Sequence, residues 1–569
     1  MAEADPGAPA GRAAGPFAGP FAGLAASGAF APLRERTFRT IWSASLLSNF
    51  GQLILGVGAA WAMTGLTGSA DMVALVQTAT MSPLMLVALP AGAIADMFDR
   101  RRVALYGLGF ALLCATVLTI LAWLDMISPQ ILLAACFMIG VGGAIFGPAW
   151  QASVGEQVRA EHLPAAVALN SISYNIARSF GPALGGFIVV AVGAAGAFAA
   201  TALLYLPIIL ALYLWRRERP PARLPPERVD RAIVAGMRYV LHSPVARTVL
   251  MRTFIAGFAA ASVTALMPLV ARDLLNGGAL TYGMMLGAFG VGAVTGALCV
   301  SSVRERMDPE HATRLAAIGM GAAMIVAGAS GHVVLTGAAL FVAGIGYILM
   351  LSTFNVGVQT SAPRWVTARA LASFQATIAG ALAFGAWSWG TLAGHWGVAA
   401  VLIVSGLMMV ASVLAGLALP MPRITAGDAE TRELSEELTP ALALTHRSGP
   451  IVIEIDYRVD PKEARAFYAV MQHVQRTRQR TGAFEWSLSR DIADPALWTE
   501  RYHCPTWLDY LRQRTRATRG DREVQESAFA FHIGDSPPVV RRRLERPLGS
   551  VRWRENTPDP EAPIGLVTP

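Results

Sequence analysis

Long stretches of apolar residues with almost no charge limit the possible fold more than any other feature of this sequence. A membrane-spanning helix needs about 20 mostly apolar residues, and the chain supplies many such runs between residues 39 and 419. Only 15% of the 569 residues are charged, whereas a soluble domain contains about 25%. The sequence therefore predicts an integral membrane protein.

Twelve runs are long enough to cross a membrane, and a polar stretch from Arg216 to about Arg247 separates the first six from the last six. The predicted spans are 39–63, 71–95, 102–124, 130–154, 164–190, 195–215, 248–271, 281–303, 311–330, 333–358, 367–391 and 397–419. We therefore expect an all-α membrane protein with twelve transmembrane helices in two six-helix halves, followed by a soluble α+β domain.

The composition of the remaining segments sets the predicted domain boundaries. The first 30 residues are rich in Ala, Gly and Pro and lack the basic start and apolar core of a signal peptide. The predicted segments are a disordered tail at 1–34, six-helix halves at 35–216 and 248–420, a central loop at 217–247, a linker at 421–448, a soluble domain at 449–550 and a disordered tail at 551–569.

Arginine supplies almost all of the positive charge, since Lys462 is the only lysine. Arginines cluster in the central loop and in the loops after spans two, four, eight and ten, whereas the opposite side has only Arg272. Cytoplasmic loops of membrane proteins carry the excess of basic residues. We therefore expect both termini and the central loop in the cytoplasm, and we expect no nucleic-acid partner.

The four cysteines give no sign of a metal site or a disulfide framework. Three of them, Cys114, Cys136 and Cys299, fall within apolar runs, and no CxxC or Cys/His cluster is present. We therefore expect no metal and no cofactor.

The two halves resemble each other in sequence. When residues 140–195 are shifted by 204 positions without gaps, identical residues, from Gly344 to Gly397, meet Gly140, Gly142, Val154, Ala166, Ala168, Phe180, Gly181, Gly186 and Gly193. Helices four and five therefore repeat as helices ten and eleven, which supports a 6+6 duplication around a site near the membrane midplane.

The loop after span two carries a candidate gate. It contains Gly92, Asp96, Arg100 and Arg101 and resembles the GxxxD-plus-basic signature of the major facilitator superfamily. Gly92 permits close helix approach, and Asp96 lies where it can cap a neighbouring helix N-terminus. Arg100 and Arg101 can pair with Glu156 at the end of span four. The alternative is a plain basic stop for a span.

Span five resembles the GPxxGG signature of major facilitator exporters, with Gly181, Pro182, Gly185 and Gly186. Glycines permit close packing and a proline bends the helix, which suits a hinge. The alternative is ordinary glycine-rich membrane packing. The resemblance favours export over import.

Arg178 lies about 14 residues into span five, near the membrane midplane, where a charge is costly and usually faces a cavity or a partner. One hypothesis places it in a central cavity facing an anionic or electron-rich substrate; the other is a structural arginine bonded to carbonyls and to amides such as Asn49. The carboxylates Asp71, Asp125 and Asp273 lie near the outer ends of spans. Further candidate cavity residues are Asn49, Gln52, Gln151, Asn175, Asn355 and Gln359, for which interhelical hydrogen bonding is the alternative.

The segment that begins at Gly449 has the pattern of a soluble domain. Residues 451–457 alternate as a strand, Pro461 opens an apolar-striped helix, and two strands, a helix and a last strand follow. The order β-α-β-β-α-β is ferredoxin-like and resembles the dimeric α+β barrels that include cofactor-free monooxygenases. We expect a dimerising or regulatory domain rather than an enzyme, since His473, His503 and His532 have no recognisable partner spacing.

The whole chain is similar to the bacterial major facilitators grouped as transmembrane secretion effectors, which are related to the enterobactin exporter. This resemblance implies a secondary active transporter of the bacterial inner membrane, namely a proton-coupled exporter of a small amphiphilic molecule such as a siderophore or a drug. Its expected partners are membrane lipid, the substrate, protons and a second copy bound through the C-terminal domain. The alternatives are uptake of a small organic acid, a membrane-anchored enzyme and a sensor.

Overall fold

The structure is a computed structural model. It describes residues 30–215, 229–363, 366–421, 440–442, 444–445, 447–515, 518–534 and 536–545. The predicted tails at 1–34 and 551–569 and the linker at 421–448 lie wholly or mostly outside the described residues.

Helices dominate the first 420 residues, because a chain in lipid must satisfy its backbone hydrogen bonds internally. The long helices are α1 (Arg36–Leu66), α2 (Ala70–Met97), α3 (Arg100–Trp123), α4 (Pro129–Ser153), α5 (Leu163–Leu214), α6 (Val229–His242), α7 (Pro244–Leu269), α8 (Ala279–Arg306), α9 (Pro309–Ala329), α10 (Val333–Ser361), α11 (Thr367–Trp396) and α12 (Val398–Ala418). Among the described residues, eleven of these helices are long and apolar enough to cross a membrane. Only α6 is not.

One of the eleven, α5, is broken in the middle. Its 52 residues would extend about 78 Å as an unbroken helix, more than twice the roughly 30 Å of a bilayer core. The backbone is non-helical at Val192 and Gly193, where Gly193 has a φ of 74°. A positive φ suits glycine because it has no Cβ. The break divides α5 into a first arm up to Val192 and a second arm after Gly193.

The helix boundaries repeat between the halves with the shift found in the sequence. Helices α4 and α5 begin at Pro129 and Leu163, and α10 and α11 begin 204 residues later, at Val333 and Thr367. The break at Gly193 corresponds to Gly397, which has a φ of 80° and separates α11 from α12. The second arm of α5 is therefore the counterpart of α12.

The helix ends define two ends of the bundle. The end that carries residues 36, 98–100, 154–163, 306–309, 361–367 and 419–421 is called the terminus side, and the opposite end is called the far end. The halves pack against each other mainly through α2 with α11 and α5 with α8. Hydrogen bonds join the halves between the far end and mid-helix: Arg272 to the Thr64 carbonyl, Thr78 to the Ala383 carbonyl and Ser179 to the Gly290 carbonyl.

Glycines allow the backbones of neighbouring helices to touch. A Cβ atom placed on Gly142 of α4 would lie 2.6 Å from the Gly107 carbonyl oxygen of α3, and one placed on Gly107 would lie 2.8 Å from the Gly142 oxygen. Small residues that bring backbones together are the usual basis of helix association in lipid.

The predicted central loop at 217–247 contains the helix α6, which was not predicted from the sequence. Leu241, Met237 and Val234 are exposed, whereas Tyr239 and Val240 are buried. Ser243 then caps α7 by accepting a hydrogen bond from the Ala246 amide at 3.3 Å. The loop is therefore in part a structured connection packed against α2, α11 and α7.

A small α+β domain follows the helices. Its elements are β1 (Ile451–Arg458), α13 (Ala464–Thr481), β2 (Phe484–Arg490), β3 (Leu497–Cys504), α14 (Trp507–Thr515), α15 (Arg519–Phe529) and β4 (Val539–Leu544). The sheet is antiparallel with the order β2-β3-β1-β4. One face of the sheet packs on the helices, and the shared core contains Ile453 and Tyr457 of β1 and Phe467 and Met471 of α13. The sequence predicted one helix between β3 and β4, and the structure has two.

The other face of the sheet carries paired charges. Arg541 contacts Asp456 at 2.5 Å, and Arg543 contacts Glu454 at 3.2 Å. A further charge lies inside the domain: the fully buried Glu500 accepts hydrogen bonds from Tyr457, Arg478 and Trp486 at 3.0–3.1 Å. Burial of a charge is tolerated where it is paired and hydrogen-bonded.

The contact between α3 and α4 gives a matched test of helix packing. Gly107→Val places side-chain atoms against the α4 backbone and should destabilise the protein by about 1–3 kcal/mol through overpacking. Gly109→Val, two residues away, points into open space and should be nearly neutral. The measurement is thermal unfolding of the purified protein in detergent. Equal losses for the two variants would contradict the assigned contact.

Candidate functional site

Arg178 lies on the first arm of α5 and reaches the second half of the bundle. Its guanidinium carbon is 4.9 Å from the ring centre of Tyr347 on α10 and 5.6 Å from that of Phe289 on α8. The two rings pack against each other at 5.7 Å. A cation over an aromatic ring is stabilised by about 0.5–1 kcal/mol at an exposed site and by about 2 kcal/mol when it is desolvated, and Arg178 is half-buried. The aromatic pair is therefore the partner of Arg178.

The backbones come together beside Arg178. A Cβ atom on Gly290 of α8 would lie 2.6 Å from the Arg178 carbonyl oxygen, and Ser179 donates a hydrogen bond to the Gly290 carbonyl at 3.2 Å. Arg178 is thus held at a point where the two halves touch, about halfway along the first arm of α5 and along α8. Among the described residues, no carboxylate forms a salt bridge with it.

The amide expected as a structural partner of Arg178 makes a different contact. Asn49 donates a hydrogen bond to the Ser173 hydroxyl at 3.3 Å. On α10, Gln359 donates to Asn355 at 2.6 Å. These two contacts are of the local or interhelical kind that the sequence analysis gave as the alternative to substrate binding.

The remaining amides lie at separate positions on the first half. Gln52 and Gln151 are exposed, and Asn175 is half-buried. Asn175 lies three residues before Arg178, on the same face of α5. Asn175 is therefore the candidate amide that the helical repeat places closest to Arg178.

The glycines of the fifth-helix motif face two different helices. Gly181 and Gly185 pack against α1, because Cβ atoms at these positions would lie 3.0 Å from Leu53 and 3.1 Å from Val57. Gly186 packs against α8, since an added Cβ atom would lie 2.7 Å from the Ala279 carbonyl oxygen and 3.1 Å from Gly283. The Pro182 carbonyl also faces Gly283. The motif therefore joins α5 to its own half and to the opposite half.

The structure brings Arg100 and Glu156 together at the terminus side. Arg100 donates to the Glu156 carboxylate and to the Ala152 carbonyl, both at 2.9 Å. This ion pair ties the start of α3 to the turn after α4. Gly92 and Asp96 lie in α2, but their side chains lie outside the described part of the chain.

Arg101 does not bind an acid among the described residues, contrary to the expectation from the sequence. It donates to the Leu212 carbonyl at 2.7 Å and to the Tyr213 carbonyl. These carbonyls belong to the last turn of α5, where unpaired oxygens and the helix dipole attract a cation. Asp99, which the motif analysis did not single out, caps α3 by accepting from the Arg102 amide at 3.2 Å.

A second charged cluster at the terminus side was missed. Arg252 of α7 is buried and pairs with Glu310 of α9, which also accepts from Arg314 at 2.8 Å and from the Met421 amide at 2.9 Å. The cluster joins α7, α9 and the end of α12 within the second half. Arginine is rare inside membrane spans. Its position inside a predicted span identified Arg178 as a candidate, and the same criterion applies to Arg252 in the predicted span 248–271.

The far end has a cavity of about 660 Å³ between the halves. Asp71, Arg272, Asp273 and His395 are among its lining residues. Arg272 pairs with Asp273 at 2.5 Å and also donates to the Thr64 carbonyl of the first half at 3.2 Å.

The three histidines of the C-terminal domain have structural contacts. His532 accepts a hydrogen bond from the Arg458 amide at 2.9 Å, and His473 lies 3.0 Å from the Ala469 carbonyl of its own helix. His503 is buried 3.2 Å from Glu545. The described residues contain no group of His, Cys, Asp and Glu that fits a metal ion.

The eleven membrane-length helices among the described residues are those of a multi-pass membrane protein. A model of the transmembrane secretion effector family, within the major facilitator superfamily, matches residues 27–548, and the chain belongs to that family. The family and the relatives described next are transporters and not enzymes, which confirms the family and the non-enzymatic class predicted from the sequence.

Two kinds of bacterial exporter are among the relatives of the chain. The multidrug efflux pump Tap of Mycolicibacterium fortuitum is 26% identical over 358 residues, which cover 60% of this chain and 84% of Tap. The enterobactin exporter EntS of Shigella flexneri is 26% identical over 294 residues, which cover 50% of this chain and 67% of EntS.

Solved transporters share the fold. The crystal structure of a bacterial homologue of the human lysosomal transporter Spinster, inward-facing and unoccupied, has a TM-score of 0.53 and 13% identity, covering 68% of this chain and 95% of that chain. The POT family transporter PepTSo has a TM-score of 0.55 and 12% identity, covering 68% and 99%. At this identity the likeness concerns the fold alone.

The Arg100–Glu156 pair can be tested with a double-mutant cycle. Arg100→Ala and Glu156→Ala each remove one partner of a half-buried pair, so the double variant should lose less stability than the sum, with a coupling energy of about 1–3 kcal/mol. The measurement is thermal unfolding in detergent.

A matched control is the exposed pair Arg159–Glu161, whose charged groups are 3.2 Å apart. Its coupling energy should stay below about 1 kcal/mol, because surface pairs contribute little. Additive losses for Arg100 and Glu156 would rule out the gate contact.

Proposed function

We propose that this protein is a secondary active exporter that moves a small amphiphilic molecule, a siderophore or a drug, by alternating access. The observation that carries this proposal is Arg178, a cation at mid-helix that faces two aromatic rings of the opposite half. Efflux of drugs and of enterobactin by the relatives Tap and EntS supports the direction and the substrate class.

In this proposal twelve helices cross the membrane, with α5 crossing twice. The length of α5 and the match of Gly193 to Gly397 support two crossings. The arginine-rich loops support a cytoplasmic terminus side in a bacterial inner membrane. The residue ranges 35–216 and 248–420 then form the two moving halves.

In this proposal the described conformation is the loading state of the exporter. Three hydrogen bonds between described residues of the two halves lie between the far end and mid-helix, which supports entry of a substrate from the terminus side. Rocking of the halves would separate α5 from α8 around Gly186 and open the far end. The Arg100–Glu156 pair is proposed as part of the terminus-side gate, together with Gly92, Asp96 and Arg101.

The substrate would bind where Arg178, Phe289 and Tyr347 meet. An aromatic or electron-rich group of the substrate can stack on the two rings. An anionic oxygen of the substrate can accept hydrogen bonds from the Arg178 guanidinium, and such charge-assisted hydrogen bonds are about twice as strong as neutral ones. Asn175 is proposed as a further contact. The other proposed cavity amides are Asn49, Gln52, Gln151, Asn355 and Gln359.

Proton coupling is proposed on the basis of family membership.

The C-terminal domain is proposed as ferredoxin-like, which its strand order β2-β3-β1-β4 supports, and as non-catalytic. The contacts of His532 and His473 support a non-catalytic domain, because each of these histidines bonds the local backbone.

The proposal predicts substrate-triggered proton movement. Protein in liposomes that contain a pH-sensitive dye, under an imposed pH gradient, should show proton flux when a catecholate siderophore or a lipophilic drug is added. Arg178→Ala should reduce this flux at least about tenfold, because it removes the cation placed against the aromatic pair; losing a hydrogen bond to a charged group costs about 1.5–3 kcal/mol.

Arg159→Ala is the matched control, since Arg159 is an exposed arginine at the terminus side, and it should leave the flux unchanged. Full flux in folded Arg178→Ala would contradict the assigned site. Absence of flux with every compound, from folded wild-type protein, would contradict the coupled exporter.

A further inference from the structure

The helix α6 is placed where the two halves and the C-terminal domain meet. It contacts α2 of the first half, α11 of the second half and α13 of the C-terminal domain. Rocking of the halves changes the spacing of helices at the terminus side, so a helix that touches both halves must shift during the cycle. The export mechanism proposed above assigns no task to it.

The C-terminal domain holds α6 through two arginines. The guanidinium of Arg480, on α13, lies 5.7 Å from the ring centre of Tyr239 and also pairs with Asp521 of α15. In the opposite direction, Arg238 of α6 lies at the C-terminal end of α13, because a Cβ on Gly482 would be 3.0 Å from its Nη2 atom. A cation is stabilised at a helix C-terminus. Burial lowers the pKa of Arg238, and Asp509 of the domain opposes this effect.

The same tyrosine binds the transport bundle on its other side. The Tyr239 hydroxyl donates a hydrogen bond of 2.7 Å to the carbonyl of Ser361, the last residue of α10. Burial raises the pKa of Tyr239 to about 12, so the hydroxyl keeps its proton at neutral pH. Nearly one turn earlier, Gly236 packs against the side chain of Arg369 in the first turn of α11.

Tyr239 thus links the C-terminal domain to the junction between α10 and α11. We propose that the C-terminal domain regulates the transport site through a brace formed by Tyr239 and Arg480, which fixes α6 against the ends of α10 and α11 and stabilises the conformation closed at the far end. This role rests on the carrier function proposed above. Releasing the brace should raise the population that is open at the far end.

The far end offers label positions that disturb little. Gly68, in the loop between α1 and α2, and Gly394, in α11, belong to opposite halves and have no atom within 4 Å of an added Cβ. Spin labels on Gly68→Cys and Gly394→Cys report the opening of the far end, because pulsed electron–electron double resonance measures the distance between the two labels. The full-length protein is used, with the four native cysteines replaced by serine or alanine.

Two variants release the brace by different routes. Tyr239→Phe removes the hydrogen bond to Ser361 and keeps the ring, and it lies outside the C-terminal domain. Arg480→Ala removes the cation on the ring. Each should increase the ratio of long to short distances at least about threefold, the size expected for loss of one hydrogen bond or of one cation–π contact. The matched control is Arg490→Ala, which removes a cation 5.2 Å from the Trp498 ring within the domain and should leave the distances unchanged.

The outcomes separate the brace from the carrier function, because the distance measurement needs no substrate. Unchanged distances in Tyr239→Phe and Arg480→Ala, with normal proton flux in the wild type, would overturn the brace alone. An equal shift in Arg490→Ala would also overturn it, since the effect would then come from the stability of the domain. Absence of wild-type flux would instead overturn the carrier function.

Discussion

The backbone contact between α5 and α8 is the constraint on which the arrangement of the two halves depends. Gly186 faces Gly283 and the Ala279 carbonyl, and Gly290 faces the Arg178 carbonyl, at distances that leave no room for a Cβ atom. In lipid, where the hydrophobic effect between helices is absent, such close van der Waals contact holds helices together. It also places Arg178 against Phe289 and Tyr347. The position of the candidate site therefore follows from the glycines.

The ionic contacts are distributed unevenly along the bundle. At the terminus side, Arg100 pairs with Glu156, and the buried Arg252 pairs with Glu310. Both pairs join helices of the same half and make each half more rigid at that end. Removing one partner of a buried pair is strongly destabilising. In the proposed cycle the halves move as units, and these pairs keep each unit intact while the contacts between α2 and α11 and between α5 and α8 change.

The sequence predicted most of the membrane-length helices because hydropathy and glycine spacing are local signals. The predicted span 71–95 lies within α2, and the 204-residue shift relates Gly193 to Gly397 in both sequence and backbone. The Arg100–Glu156 pair was also predictable, since the motif places a cation and an acid at the same end of the bundle. The strands of the sheet were predicted from the alternation of apolar and polar residues, as at residues 451–457, which lie in β1.

The remaining contacts depend on tertiary packing that no local pattern contains. Arg101 binds the end of α5, 111 residues away, and only the folded bundle brings α3 to that helix end. Arg178 meets rings on α8 and α10 rather than Asn49, because the halves touch beside it. The helix α6 was hidden because its apolar positions lie in a polar, proline-rich loop. Its buried Tyr239 becomes meaningful only once the C-terminal domain is in place.

Net export by living cells is the most direct test of the central claim. Energised cells that express the wild-type protein should accumulate less of a labelled catecholate siderophore or lipophilic drug than cells that express Arg178→Ala at the same level in the membrane. Collapse of the proton gradient should remove the difference. Equal accumulation in the two strains, or higher accumulation with the wild type, would contradict an exporter that binds its substrate at Arg178.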